Sequence, residues 1–172
     1  MLYPKNATKA AIEVKARLSE KYKITSLGPA RQFFGIEIHR DEHGISFGQK
    51  AFITTILKRF HIEHAHGVSA PMDPNVKLDL AEDQGEKALA NESIKGYQAI
   101  VGSLIYTALA TRPDISFAVA ALCRYNSRPF NSHLTAAKSV LQYLKSAASF
   151  RLHFSSSSNG SNDQLTGYTD SD

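Results

Sequence analysis

Three imidazoles fall close together at His61, His64 and His66, with His39 and His43 upstream, and such a cluster binds a transition metal when three rings converge on one point. The His-x-x-His-x-His spacing after a helix end matches no known structural metal pattern, so a metal site here needs a fold that gathers the rings. Cys123, the only cysteine, follows Ala120-Ala121-Leu122 and reads as a small packed side chain rather than a nucleophile. It has no partner for an internal disulfide, which fits a reducing compartment. Serine, histidine and aspartate are all present, but no nucleophile-elbow pattern points to a hydrolase. The cations are more informative. Residues 1–60 carry eleven Lys+Arg against five Asp+Glu, residues 61–100 three against seven, and residues 101–172 six against four. A basic first third suits phosphate contact, because sequence-independent affinity for nucleic acid comes from cations along its backbone. A solvated helix face is the plainer reading of the same charges.

These groups sit in a chain of 172 residues with ordinary soluble-protein composition, 42% hydrophobic and 21% charged, and a net charge of +4. A chain of this length makes one domain or two small ones and buries roughly 70% of the surface its unfolded form exposes. No apolar run approaches the roughly 20 residues that span a bilayer. Met1-Leu2-Tyr3-Pro4-Lys5-Asn6 has no apolar signal segment behind it. The expectation is an intracellular protein, cytoplasmic or nuclear, with no membrane partner.

The elements that must position these residues follow from periodicity. Thr8 caps a helix running to about Lys23, with Ala11, Val14, Leu18 and Tyr22 on one face. Phe34, Ile36 and Ile38 then alternate with Gly35, Glu37 and His39, and Ile45 and Phe47 alternate with Ser46 and Gly48; Arg40 to Gly44 supplies the turn of a β-hairpin. Ile53, Ile56, Leu57 and Phe60 mark a short amphipathic helix. From His61 to about Asn91 the periodicity fades, which predicts an extended surface crossing or a partly mobile segment, most mobile near Asp79–Ala90. Tyr97, Ile100, Val101, Leu104, Ile105 and Ala108 stripe the next helix, and Thr111-Arg112-Pro113-Asp114 ends it at a corner. A second helix starts at Pro113 with Thr111 as its cap and buries Ile115, Val119 and Leu122. A third, capped by Asn131 or Ser132, buries Leu134, Ala137, Val140, Leu141 and Leu144. Phe150, Leu152 and Phe154 alternate as a strand, Ser155–Asn162 reads as a linker, and Gln164 to Thr169 reads as a further strand that would pair with it in a hairpin of a neighbouring module. The fold class is α+β, mainly helical, with an N-terminal helix plus β-hairpin, a three-helix bundle and a short C-terminal hairpin.

Several stretches carry a resemblance. Tyr97 to Leu104 with Tyr106, followed by Thr111-Arg112-Pro113-Asp114-Ile115, resembles the Y-x-x-x-V-G-S-L-x-Y and T-R-P-D-I blocks of copia-type retrotransposon reverse transcriptases. Phe33-Phe34-Gly35-Ile36-Glu37-Ile38 is similar to their F-L-G-I-E-I strand, and Gly44-Ile45-Ser46-Phe47-Gly48-Gln49 to their G-I-x-L-x-Q return strand. Val68-Ser69-Ala70-Pro71-Met72-Asp73 resembles V-x-T-P-M-D, and residues 136–145 resemble A-A-K-R-V-L-R-Y-L-K. Gly167-Tyr168-Thr169-Asp170-Ser171-Asp172 resembles G-Y-S-D-A-D, where a ribonuclease H domain begins in such polyproteins. The blocks keep the family's order over nearly the whole chain.

The resemblance implies a division into residues 1–60 (palm-derived helix, primer-grip-like hairpin and short helix), 61–92 (connector), 93–148 (thumb or connection helices) and 149–172 (the start of a ribonuclease H-like domain). It makes residues 33–49 the hairpin that holds the primer strand. Gly35, Gly44 and Gly48 leave room for a close phosphate, and Gln49, Lys50, Lys58 and Arg59 become candidate phosphate or sugar contacts on a template-primer duplex. Polymerase chemistry in this family uses carboxylates that hold two Mg²⁺, from a Tyr-x-Asp-Asp motif and an earlier aspartate. No Asp-Asp pair occurs here, so the expectation is a chain that does not copy nucleic acid alone. Asp170 matches the first ribonuclease H carboxylate and Asp172 is its neighbour, a weak and incomplete pair of metal ligands. Mg²⁺ is therefore expected only in the context of the full polyprotein and no cofactor for this chain alone. The alternative is a domesticated or degenerate remnant that acts as a protein-interaction module or has no function. A hairpin with an unpaired edge and an apolar face half covered by the first helix also predicts binding to the rest of the polyprotein, or self-association.

Overall fold

The computed structural model describes residues 8–25, 28–73, 75–76, 78–80, 85 and 87–155. Helix α1 (Thr8–Lys21) is followed by strands β1 (Gln32–Phe33), β2 (Ile36–Asp41) and β3 (Gly44–Gly48), then by α2 (Lys50–Arg59), α3 (Asn91–Ala110), α4 (Ser116–Cys123), α5 (Asn131–Ser146) and strand β4 (Leu152–Ser155). Short 3-10 turns occupy Leu78–Leu80 and Pro113–Ile115. This is a mainly helical α+β fold with one antiparallel sheet in the order β1-β2-β3-β4.

The sheet departs from the expectation at both ends. Phe34 does not open the hairpin strand; Phe33 pairs with Ile36, so Phe34-Gly35 is a two-residue turn between β1 and β2. At the other end, Leu152–Ser155 joins β3, a pairing the sequence did not suggest, with Phe47 opposite Leu152 and Ile45 opposite Phe154. Across this pairing the Phe47 and Phe154 rings meet edge to face at 5.6 Å, an aromatic cross-strand contact. The hairpin expected to have an unpaired edge is thus flanked on both sides, by β1 beside β2 and by β4 beside β3. The strand expected at 164–169, and the linker expected at 156–162, lie outside the described residues. Between β2 and β3, the Asp41 carboxylate accepts the N–H of His43 at 2.9 Å and of Gly44 at 3.0 Å, which closes the turn. Gly44 has φ +149, and a Cβ there would stand 2.1 Å from the Phe154 oxygen.

The core lies among α2 to α5 and follows the periodicity. Ile53, Ile56 and Leu57 of α2, Tyr97, Ile100, Val101 and Leu104 of α3, Ile115, Val119 and Leu122 around α4, and Ala137, Val140, Leu141 and Leu144 of α5 are all buried, while Leu134 is half-buried. Helix α1 behaves differently: it ends at Lys21, and Val14, Leu18 and Tyr22 stay exposed, so it does not cover the sheet as expected. The long crossing carries some order. Leu78 is buried, and Leu89 donates its N–H to the Pro129 oxygen at 2.9 Å. Within the stretch expected to be most mobile, residues 81–84 and 86 lie outside the described residues.

The corner explains its own polar residues. Arg112 is 1% exposed. Its Nη2 and Nε donate to Asp114 at 2.7 and 3.0 Å, and its Nη1 donates to the Ala147 oxygen at 2.7 Å. The guanidinium lies against the rings of Tyr143 and Phe150, and the Tyr143 hydroxyl donates to Asp114 at 2.8 Å. The group ties the end of α3 to the end of α5 and the run into β4. Thr111 is the C-cap of α3 rather than an N-cap, and a 3-10 turn intervenes before α4. Helix α5 likewise starts differently: its N-cap is Phe130, not Asn131 or Ser132. The Phe130 N–H donates to Nδ1 of buried His133 at 2.9 Å, and the ring's Nε2 lies 2.8 Å from the Leu78 oxygen, partners that assign the proton to Nε2.

Candidate nucleic-acid interface

Helix α2 is amphipathic by spacing. Ile53, Ile56 and Leu57 face the core, and Lys50, Lys58 and Arg59 are exposed. Among the described residues neither Lys50 nor Lys58 forms an ion pair, and the Arg59 guanidinium rests over the Phe60 ring. The helix has no side-chain cap from its own N-cap residue, Gln49. Glu37 of β2 supplies it instead, accepting the Ala51 N–H at 2.9 Å. A carboxylate at a helix N-terminus also meets the positive end of its dipole. The glutamate of the Ile36-Glu37-Ile38 strand therefore fixes α2 against the sheet.

Two expected contacts change meaning. Gln49 is fully buried, and its Oε1 accepts the Thr111 hydroxyl at 2.8 Å, so it is enclosed between β3 and the end of α3 and does not meet a phosphate. Gly48 has a local partner: a Cβ there would come within 3.1 Å of Arg151 Cγ, and Arg151 crosses it to bring its guanidinium 4.0 Å from Glu37. The missing side chain at 48 is the lane for an arginine of β4's approach. Gly35 remains at the surface.

Gly35 belongs to an unusual turn. Both central residues have positive φ, Phe34 at 46° and Gly35 at 77°, the signature of a two-residue hairpin loop of type I′. Glycine occupies that region freely, but a bulky L-residue does so at a cost on the order of 1–3 kcal/mol. Phe34 is also 78% exposed, and Phe33, whose ring meets it edge to face at 4.5 Å, is 61% exposed. The turn is held from α3: the Tyr106 hydroxyl donates to the Phe34 oxygen, and the Tyr106 ring meets Phe52 of α2 edge to face at 4.8 Å. Phe33 falls within the hairpin expected from the sequence, but neither Tyr106 nor the cap by Glu37 was legible as part of a site; the Phe34-Gly35 pair flanked by β-formers was the available signal for the turn.

The other candidates separate. Among the described residues no three His, Cys, Asp or Glu side chains gather as a metal group, so His39, His43, His61, His64 and His66 do not converge. Asp170 and Asp172 lie outside the described residues. Cys123 is half-buried on α4, and burial pushes its thiol pKa up, which disfavours the nucleophilic thiolate. Tyr97 is fully buried, donates to the Leu122 oxygen at 2.7 Å and has its pKa raised, by burial first and by Cys123 and Tyr125 after it.

The family described as reverse transcriptase (RNA-dependent DNA polymerase) matches residues 1–74. The Pol polyprotein of transposon TNT 1-94 of Nicotiana tabacum is 33% identical over 168 residues, 93% of this chain and 12% of that protein. The Pol polyproteins of transposons RE1 and RE2 of Arabidopsis thaliana are 37% and 35% identical over 127 residues, 74% of this chain and 8% of each. The chain is a reverse transcriptase-like segment of a retrotransposon Pol polyprotein. Within that class its relatives are the copia-type elements, and it spans about a tenth of their length. No solved structure matches it significantly.

Proposed function

We propose that this segment contacts template-primer nucleic acid through the Phe33–Gly35 turn and the cationic face of α2, while the metal-dependent copying chemistry, Mg²⁺ included, is supplied by other parts of the polyprotein. One observation carries the reading: α2 turns three cations to solvent and is fixed by Glu37 to the strand that follows the exposed turn. Cations of this kind hold phosphates without reading sequence, and exposed aromatic rings stack on bases or sugars. Of the residues expected from sequence, Gly35, Lys50, Lys58 and Arg59 keep this role. Binding to a primed duplex is measured over a salt series. The expected result is an affinity that falls steeply with salt, with a log–log slope reduced by about one for each of Lys50→Ala, Lys58→Ala and Arg59→Ala. Salt-independent binding, or slopes unchanged in all three variants, refutes the reading. A primer-extension assay of this chain with Mg²⁺ is expected to give no incorporation, and incorporation would refute the assignment of the chemistry elsewhere.

A second reading rests on a different observation. Helix α1 has 14 residues and leaves Ile12, Val14 and Leu18 exposed, with Tyr22 exposed just past its end, whereas a helix this short is marginal in water unless its apolar face is buried. The face suits a protein partner, either the rest of the polyprotein or a second copy. Sedimentation at tens of micromolar is expected to show self-association that Leu18→Glu weakens; a monomer throughout counts against a second copy.

A further inference from the structure

We infer that Tyr106 is a positioning residue for the nucleic-acid-facing turn: its hydroxyl, donated from α3 to the Phe34 oxygen, holds Phe34 in the left-handed region and sets where the Phe33 and Phe34 rings and Gly35 are presented. The inference rests on the reading of this turn as a nucleic-acid contact. Three observations carry it. Phe34 adopts φ 46° although its ring, 78% exposed, gains little packing in return, so the conformation needs an external hold. Tyr106 is 72 residues away in the chain and makes the hydrogen bond that reaches this turn from the helical body. A Cβ at Gly35 would stand 3.4 Å from the Tyr106 oxygen, so Gly35 provides both the positive φ and the space through which the phenol approaches.

The Tyr106 ring also meets Phe52, which lies on α2 between the exposed Lys50 and the buried Ile53. One phenol thus registers the turn against the helix that carries the cations. Loss of the hydroxyl leaves the ring contact with Phe52 in place and frees the Phe34 oxygen. The turn then samples other conformations, and ordering it costs affinity each time a strand binds.

The test is Tyr106→Phe in the full chain, read by affinity for a primed duplex, by amide hydrogen exchange at Gly35 and Ile36, and by thermal unfolding. The expected result is an affinity loss of about fivefold, the size of one net hydrogen bond. Turn amides should exchange several-fold faster, with an unchanged salt slope because the cations are untouched. In a Phe34→Gly background, where the left-handed conformation needs no hold, the same substitution is expected to cost less than about twofold. Wild-type binding with an unaffected Tyr106→Phe overturns the proposal alone, as does faster exchange without loss of affinity, or an equal loss in the Phe34→Gly background. A wild-type chain that binds no primed duplex overturns the nucleic-acid reading and the proposal with it. If Tyr106→Phe fails to fold, as thermal unfolding reveals, the proposal also falls, because the hydroxyl is then a determinant of the fold.

Discussion

The Thr111–Asp114 corner and the Phe33–Gly35 turn both use a side chain to hold distant backbone, yet they face opposite ways. At the corner, Arg112 donates to Asp114 and to the Ala147 oxygen and is enclosed by two rings. A buried charge is tolerable only when it is paired and hydrogen-bonded in this manner, and once so engaged it has nothing left to offer a ligand. At the turn, two phenyl rings stand in solvent on a backbone that disfavours one of them. The buried arginine of the corner is architectural, whereas the candidate site joins exposed cations on α2 to a turn whose backbone conformation carries a local cost.

Removal of the buried guanidinium should produce the largest effect. Arg112→Ala strands the Asp114 carboxylate and the Ala147 oxygen and is expected to cost about 3–5 kcal/mol in denaturant unfolding. A cost under 1 kcal/mol would show that the corner is not a latch. The same group makes a pH prediction. Burial pushes the Asp114 pKa up, but hydrogen bonds from Arg112 and Tyr143, with the Arg112 charge and a backbone bond, outweigh it, and the net shift is downward. A lowered folded pKa contributes stability above the unfolded value near 3.9, and that stability is lost as pH falls from there through the folded pKa. The acid limb of an unfolding-versus-pH curve is therefore expected to flatten in Asp114→Asn.

Smaller effects test the sheet. Gly44→Ala requires a Cβ 2.1 Å from the Phe154 oxygen at a positive φ and is expected to destabilise by more than about 1 kcal/mol, with loss of protection at the β3–β4 ladder. Glu37→Ala removes the cap of α2 and should cost about 1 kcal/mol, accompanied by fraying at Ala51 in hydrogen exchange. The smallest change has the opposite sign. Phe34→Asn places the residue preferred in this type of turn and removes an exposed ring, so it should raise stability by a few tenths of a kcal/mol while lowering affinity for a primed duplex. Unchanged affinity would make the exposed phenylalanine an incidental feature.

The helical half was the more legible. Tyr97, Ile100, Val101 and Leu104 on α3, and Ala137, Val140, Leu141 and Leu144 on α5, repeat at the spacing of a helix, and a local period carries its own burial direction. The sheet was half read. Ile36, Ile38, Ile45 and Phe47 announced a hairpin, but the identity of the strand beside β3 depended on residues about a hundred positions later, for which no local signal exists. Lys50, Lys58 and Arg59 were readable as an exposed face of α2; Gln49, of equal polarity, was not readable as buried, since its partner Thr111 arrives from another helix.

Local pattern, then, settled which segments are helices and which faces of α2 to α5 turn inward, whereas the bend at Phe34-Gly35 was read as strand. Contacts between remote segments settled the rest: β4 against β3, Arg112 against Ala147, Glu37 against α2, and Tyr106 against the turn. The division has a simple physical origin. Periodicity encodes the orientation of a side chain relative to its own backbone, whereas a hydrogen bond between distant groups exists only after packing has removed the water that would otherwise satisfy each of them.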